Sequence, residues 1–203
     1  IINNLAKAYF DINRLDIAEK FCKKALKLNK TDGNIQKILS LIYLRKQNYI
    51  DGWLYFDGRL NLSDFVEKNS SIKNIREKLT YKNKLNRKLK ILVLREQGVG
   101  DEILYGTMYG DLLNLYENVT IECDKRLKNI FCNSFPKYKK AFVDFGKISL
   151  NKNLLNKYDV AIYAGSLGKF FRNKIEDFSS GYYLHPDKNL IKKNKNKLNS
   201  LSE

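Results

Sequence analysis

At 203 residues the chain has room for one large or two small domains, and an apolar content of 43% with 12% aromatic excludes global disorder. No apolar run approaches the roughly 18 residues of a membrane-spanning helix. Three scattered cysteines argue against a zinc cluster and a disulfide framework, and a single histidine leaves little room for Ser-His or Cys-His chemistry. A net charge of +16 fits either a phosphate-bearing partner or a mutational bias toward Lys, Asn and Ile codons. The basic stretches 73–90 and 188–197 lack the interleaved aromatics of a single-strand groove, so bias is preferred and no specific nucleic-acid partner is expected.

The chain opens on Ile1 without a recognisable signal peptide, and the expectation is a piece of a longer cytoplasmic protein. Cys22, Cys123 and Cys132 read as small buried apolar residues of a reducing compartment.

Residues 1–60 repeat with a period of 34: Leu5, Ala6, Tyr9, Ala18 and Cys22 return as Leu39, Ser40, Tyr43, Gly52 and Phe56. Large, small, aromatic, small and bulky residues in that order form the tetratricopeptide pattern. The small positions let paired helices approach, and the aromatics fill the groove between them. The spacing predicts helices over 3–12, 15–28, 33–44 and 49–60, and further repeats upstream. Two positions depart from the pattern: Lys30 stands where proline is usual, and Arg59 stands at the position that Ala25 fills with a small side chain. Residues 61–89 are polar and basic, with weak periodicity in Ile72, Ile75 and Leu79, and read as a connecting helix or arm.

From Lys90 the period changes. Apolar runs at 90–95, 118–123, 140–145 and 158–165 read as strands. Helical spacing over 101–116, 126–133, 150–156 and 166–171 separates them, which predicts a parallel sheet with crossover helices. A further helix is expected after Pro186. The most informative stretch runs from the first strand into the next helix, KILVLREQGVGDEILYGTMYGDLL over 90–113. Strand, glycine turn and helix start place backbone N–H groups and the Asp101 carboxylate at the carboxyl end of the sheet, where open α/β sheets bind ligands. Gly98 and Gly100 are expected to supply special turn conformations and let a ligand approach the backbone. Glu96 and Gln97 can hydrogen-bond a ligand or satisfy turn amides, and Arg95 can pair with a phosphate or a carboxylate. Asp101 by itself reads better as a helix-capping residue, a common role at this position.

Four stretches carry a resemblance: GWLYFDGRL (52–60), REQGVGDEI (95–103), AGSLGKFF (164–171) and YYLHPD (182–187). Together they resemble bacterial proteins that join tetratricopeptide repeats to a glycosyltransferase of the two-lobed GT-B fold, distant relatives of the heptosyltransferases and the O-linked N-acetylglucosamine transferases. The sequence departs at Gly168, where the family has proline, and at Asp57 and Gly58, where it has glutamate and an aromatic. The resemblance implies an α plus α/β chain: repeats over 1–60, a basic connection over 61–89, a Rossmann-like N-terminal lobe over 90–187, and the start of an inter-lobe connection over 188–203. It implies Asp101 as the base that activates an acceptor hydroxyl, with Glu96, Gln97, Gly98, Gly100, Ser166 and Leu167 lining the acceptor cleft and with no metal and no cofactor. The implied donor is a nucleotide sugar held by a second lobe beyond Glu203. The implied acceptor is a glycan or protein hydroxyl, with a protein partner on the repeats. A non-enzymatic repeat scaffold with a degenerate α/β lobe is the runner-up. A dinucleotide domain is weaker still: Ile103 stands where its third glycine belongs, although Glu122 ends the second strand where a ribose-binding acid would sit.

Overall fold

A computed structural model describes residues 1–63 and 86–200. Most of the basic segment, including the periodic Ile72, Ile75 and Leu79, lies outside the described residues. The described chain divides into two units, one of residues 1–63 with 166–178 and the other of 86–165 with 179–200.

The first unit begins with four helices: α1 (Ile2–Asp11), α2 (Leu15–Leu28), α3 (Gly33–Arg45) and α4 (Tyr49–Phe56), followed by a 3-10 turn, Asp57–Asn61. Their limits follow from the sequence. Asp32 caps α3 by accepting the N–H groups of Asn34 and Ile35, and Asn48 caps α4 through Asp51. Helix α1 packs on α2, α2 on α3 and α3 on α4. Three pairs related by the 34-residue period share burial, Ala6 with Ser40, Ala18 with Gly52 and Cys22 with Phe56, whereas Leu5 is exposed where Leu39 is buried and Tyr9 is half-buried where Tyr43 is buried. Tyr9 stacks on Phe21 with ring centroids 5.5 Å apart, and Tyr43 packs against Tyr55. The same unit takes in residues 166–178, which the strand-and-helix pattern had grouped with the sheet.

The second unit is built on a four-stranded parallel sheet: β1 (Lys90–Leu94), β2 (Asn118–Cys123), β3 (Phe142–Asp144) and β4 (Val160–Tyr163), in the order β3-β2-β1-β4. The uninterrupted apolar run Ile91 to Leu94 has no exposed surface, as a central parallel strand covered on both faces requires. Between strands lie α5 (Val99–Gly106), α6 (Tyr109–Leu115), α7 (Lys125–Ser134) and the short α8 (Lys152–Leu155). In the first unit α9 (Gly168–Phe171) follows the 3-10 turn Ala164–Leu167. Helix α10 (Lys188–Asn199), capped by Asp187, closes the described chain.

The single helix expected over 101–116 is two. The Tyr183 hydroxyl donates to the Ile103 carbonyl, and a Cβ on Gly106 would come within 2.5 Å of that hydroxyl. The Thr107 N–H bonds the Leu104 carbonyl, three residues back, and the α-helix ends there. Among the described residues, no helix is long and apolar enough to cross a membrane.

Candidate functional site

Strand β1 lies between β2 and β4, and the connections leave it in opposite directions. The carboxyl ends of β1 and β4 are therefore the switch point of the sheet, the usual ligand position in open α/β units. Residues 95–101 follow β1 at this point.

Gln97, not either glycine, holds the special backbone conformation of that turn, with φ of 60°. Gly98 is extended at φ −98°, ψ 175°, and Gly100 already belongs to the first turn of α5. The expectation that these glycines supply left-handed turn geometry is thus corrected: residue 97 absorbs the reversal, so neither glycine needs to. What Gly100 provides is room. A side chain built there meets nothing within 4 Å.

Asp101 is half-buried in the first turn of α5, and its Oδ2 accepts the Gly98 N–H at 3.0 Å. This closes the helix start as a capping box does. Its other oxygen, Oδ1, bonds to none of the described residues. One carboxylate therefore carries a structural bond on one side and an open acceptor on the other, beside the space above Gly100.

Glu96 is placed differently. Its side chain is 2% exposed, and Oε1 accepts the Gly165 N–H at the end of β4. The carboxylate ties together the loops that follow β1 and β4. Ser166 and Leu167, in the first unit, are interior: Leu167 has no exposed surface, and the Ser166 Oγ donates to Asp57 at 3.0 Å and accepts from Arg59 at 2.9 Å. The described geometry thus leaves Gln97, Gly98, Gly100 and Asp101 accessible, while Glu96, Ser166 and Leu167 hold the chain in place.

Two further arrangements centre on buried carboxylates, of which only Glu122 was singled out by sequence. Glu102, fully buried, accepts from the Arg95 guanidinium and from the Asp124 N–H at 2.9 Å. Arg126 and then Arg95 bond Asp124, and this holds its carboxyl well below the usual carboxylate range. So the carboxylate partner of Arg95, left open by sequence, is Glu102 with Asp124. Arg95, Asp124 and Arg126, with Asp144 and Phe145, border a hollow of about 440 Å³ at the carboxyl ends of β1, β2 and β3. Glu122 is likewise buried and accepts from the N–H groups of Ile148 and Ser149 and from the Ser149 hydroxyl, at 2.6 to 2.8 Å. A carboxylate engaged by three donors is not offered to a ribose, which removes the last support for a dinucleotide domain.

In the first unit, Trp53 packs its indole on Gly168 and donates Nε1–H to the Arg172 carbonyl at 2.7 Å. Arg59, 1% exposed, lies over the Phe56 ring and bonds the Phe56 carbonyl, and Lys169 bonds Asp57 at 2.8 Å. The signal for this contact was the departure of Arg59 from its small repeat position. An arginine there needs buried acceptors, and residues 166–172 bring one.

Among the described residues, no group of three or more His, Cys, Asp or Glu can hold a metal ion. Comparison with models of protein families, with curated proteins and with solved structures returns no match.

Proposed function

We propose that this chain is the acceptor-side lobe of an inverting, metal-independent glycosyltransferase of GT-B type, preceded by tetratricopeptide repeats, with Asp101 as the base that takes the proton of an acceptor hydroxyl. The nucleotide-sugar donor would be held by a second lobe. The carrying observation is the Asp101 carboxylate, with Oδ1 open beside Gly100 on the rim of the sheet's switch point. A general base needs an acceptor oxygen that is not already committed, and Oδ1 meets that need while Oδ2 holds the Gly98 N–H. The resemblance of the segment 95–103 to the family loop supports the same reading. Transfer needs both lobes, because the rate gain comes from holding donor and acceptor at attack distance.

A non-enzymatic repeat scaffold is the second reading, favoured by the interior positions of Glu96, Ser166 and Leu167, which thin the acceptor-binding set. Asp101→Asn separates the two. Asparagine keeps an oxygen for the Gly98 N–H but cannot take a proton. In the two-lobed protein it should leave thermal unfolding within about 1 °C while lowering sugar transfer by about 10²–10⁴-fold, the usual worth of a general base. Unchanged turnover in that variant removes Asp101 as the base; an absence of transfer in the unsubstituted protein with a panel of nucleotide sugars favours the scaffold.

A further inference from the structure

We propose that the second unit carries a nucleotide-binding site at the amino end of its sheet, opposite the rim that holds Asp101. A hollow of about 460 Å³ opens there, beside the first residues of β1 and β2. That volume falls within the range of small-molecule sites, about 300–1,000 Å³. Three independent features give it a chemistry.

The first is charge. Lys90, Lys137, Lys140 and Lys157 line the hollow against one acid, Glu117. None of the four ammonium groups is in an ion pair with a described residue. Four like charges around one concavity repel each other, and the low-dielectric walls focus their field into it. A bound polyanion relieves that repulsion.

The second is the wall. Tyr138 donates its hydroxyl to Asn114 at 2.8 Å and Tyr158 to Thr120 at 2.9 Å. With their hydroxyls engaged, both rings present hydrocarbon surface to the hollow, joined by Ile148 and Leu154. Such a lining suits a flat ring, not phosphate alone.

The third is a gap in the sheet. Strand β3 pairs with β2 only from Ile121 onward, so the stretch Asn118 to Thr120 has no strand partner on that side. The hollow occupies this gap, and unpaired strand edge supplies backbone donors and acceptors for the edge of a base. Lysines for phosphates, ring surface for a planar group and peptide edge for its polar rim together select a nucleoside diphosphate or triphosphate. The site is separate from the sugar-transfer reading and stands or falls without it.

The test is isothermal titration of the chain with ADP, adenosine and pyrophosphate at constant ionic strength. ADP should bind with a dissociation constant below about 1 mM, with adenosine and pyrophosphate each at least about tenfold weaker. The double variant Lys137→Gln/Lys140→Gln should weaken ADP by about tenfold. Lys188→Gln/Lys192→Gln removes the same charge from the exposed helix α10 and should change ADP binding less than twofold. Equal weakening by the two double variants would mean that general positive charge binds ADP and would overturn the site. So would pyrophosphate binding as tightly as ADP, or ADP failing to bind.

Discussion

Ser40 stands one period after Ala6, fully buried, and its hydroxyl has no partner among the described residues. Tyr109 has the same defect in the second unit, its ring packed on Phe131 and its hydroxyl unbonded. A buried hydroxyl that has lost its water is destabilising. Ser40→Ala and Tyr109→Phe should each raise the unfolding free energy by about 1 kcal/mol in urea titrations. A loss of stability would reveal an ordered water at that position. Burial also pushes the thiols of Cys22 and Cys123 up to about 12, with Glu19 and Glu102 respectively adding to the effect. Cys132 is only half-buried, against the expectation of three buried cysteines. The thiolate is the reactive form. A maleimide reagent at pH 8 should therefore modify Cys132 first, with Cys22 and Cys123 reacting only on unfolding; mass spectrometry of the modified peptides reads this directly.

At the scale of elements, the join between α2 and α3 is electrostatic as well as apolar. Lys46, at the end of α3, bonds Asp16 at 2.5 Å and Glu19 at 2.7 Å, and Lys23 bonds Glu19 at 2.6 Å. Burial works against the charged form of Glu19, but the bonds from Lys23 and Lys46 outweigh it, and its pKa falls below the ordinary 4.5. A lowered carboxyl pKa contributes stability that is complete above the ordinary value and is lost as pH falls through the folded one. Glu19→Gln should accordingly be less stable than the native chain at pH 7, by no more than about 1 kcal/mol for so shallow a pair. The difference should shrink as pH falls below 4.5 through the folded-state pKa of Glu19, as paired denaturation curves at successive pH values would show. The four amino-terminal helices and the four strands were legible because their apolar spacing is set by local chemistry. The break between α5 and α6 was not, and there Tyr183 reaches the Ile103 carbonyl from 80 residues away. The site was legible in the same uneven way. The strand, turn and helix start that carry Asp101 are contiguous, whereas the burial of Glu96 depends on the amide of Gly165, 69 residues on.

At the scale of the molecule, each unit is assembled from separated lengths of chain. In the first, Arg59 meets Ser166 across 107 residues, and Trp53 meets Arg172 across 119. Gly168 is a point of close approach: a Cβ there would lie 2.4 to 2.6 Å from three atoms of the Trp53 indole, whose N–H is already committed. Neither ring nor backbone can yield cheaply, so Gly168→Ala should cost about 1–3 kcal/mol, as overpacking does. Trp53 is the sole tryptophan, and its emission should shift to the red as the indole is pushed toward solvent. The same contact gives a reason for glycine where the resembled family has proline.

This arrangement also bears on how the chain is made. During synthesis, helices α1 to α4 leave the ribosome long before residues 166–178, and for roughly 5–20 s they wait at ordinary elongation rates. Throughout that interval the nascent protein presents a naked indole and a guanidinium with no serine to bind, a surface on which a holding chaperone would find its footing.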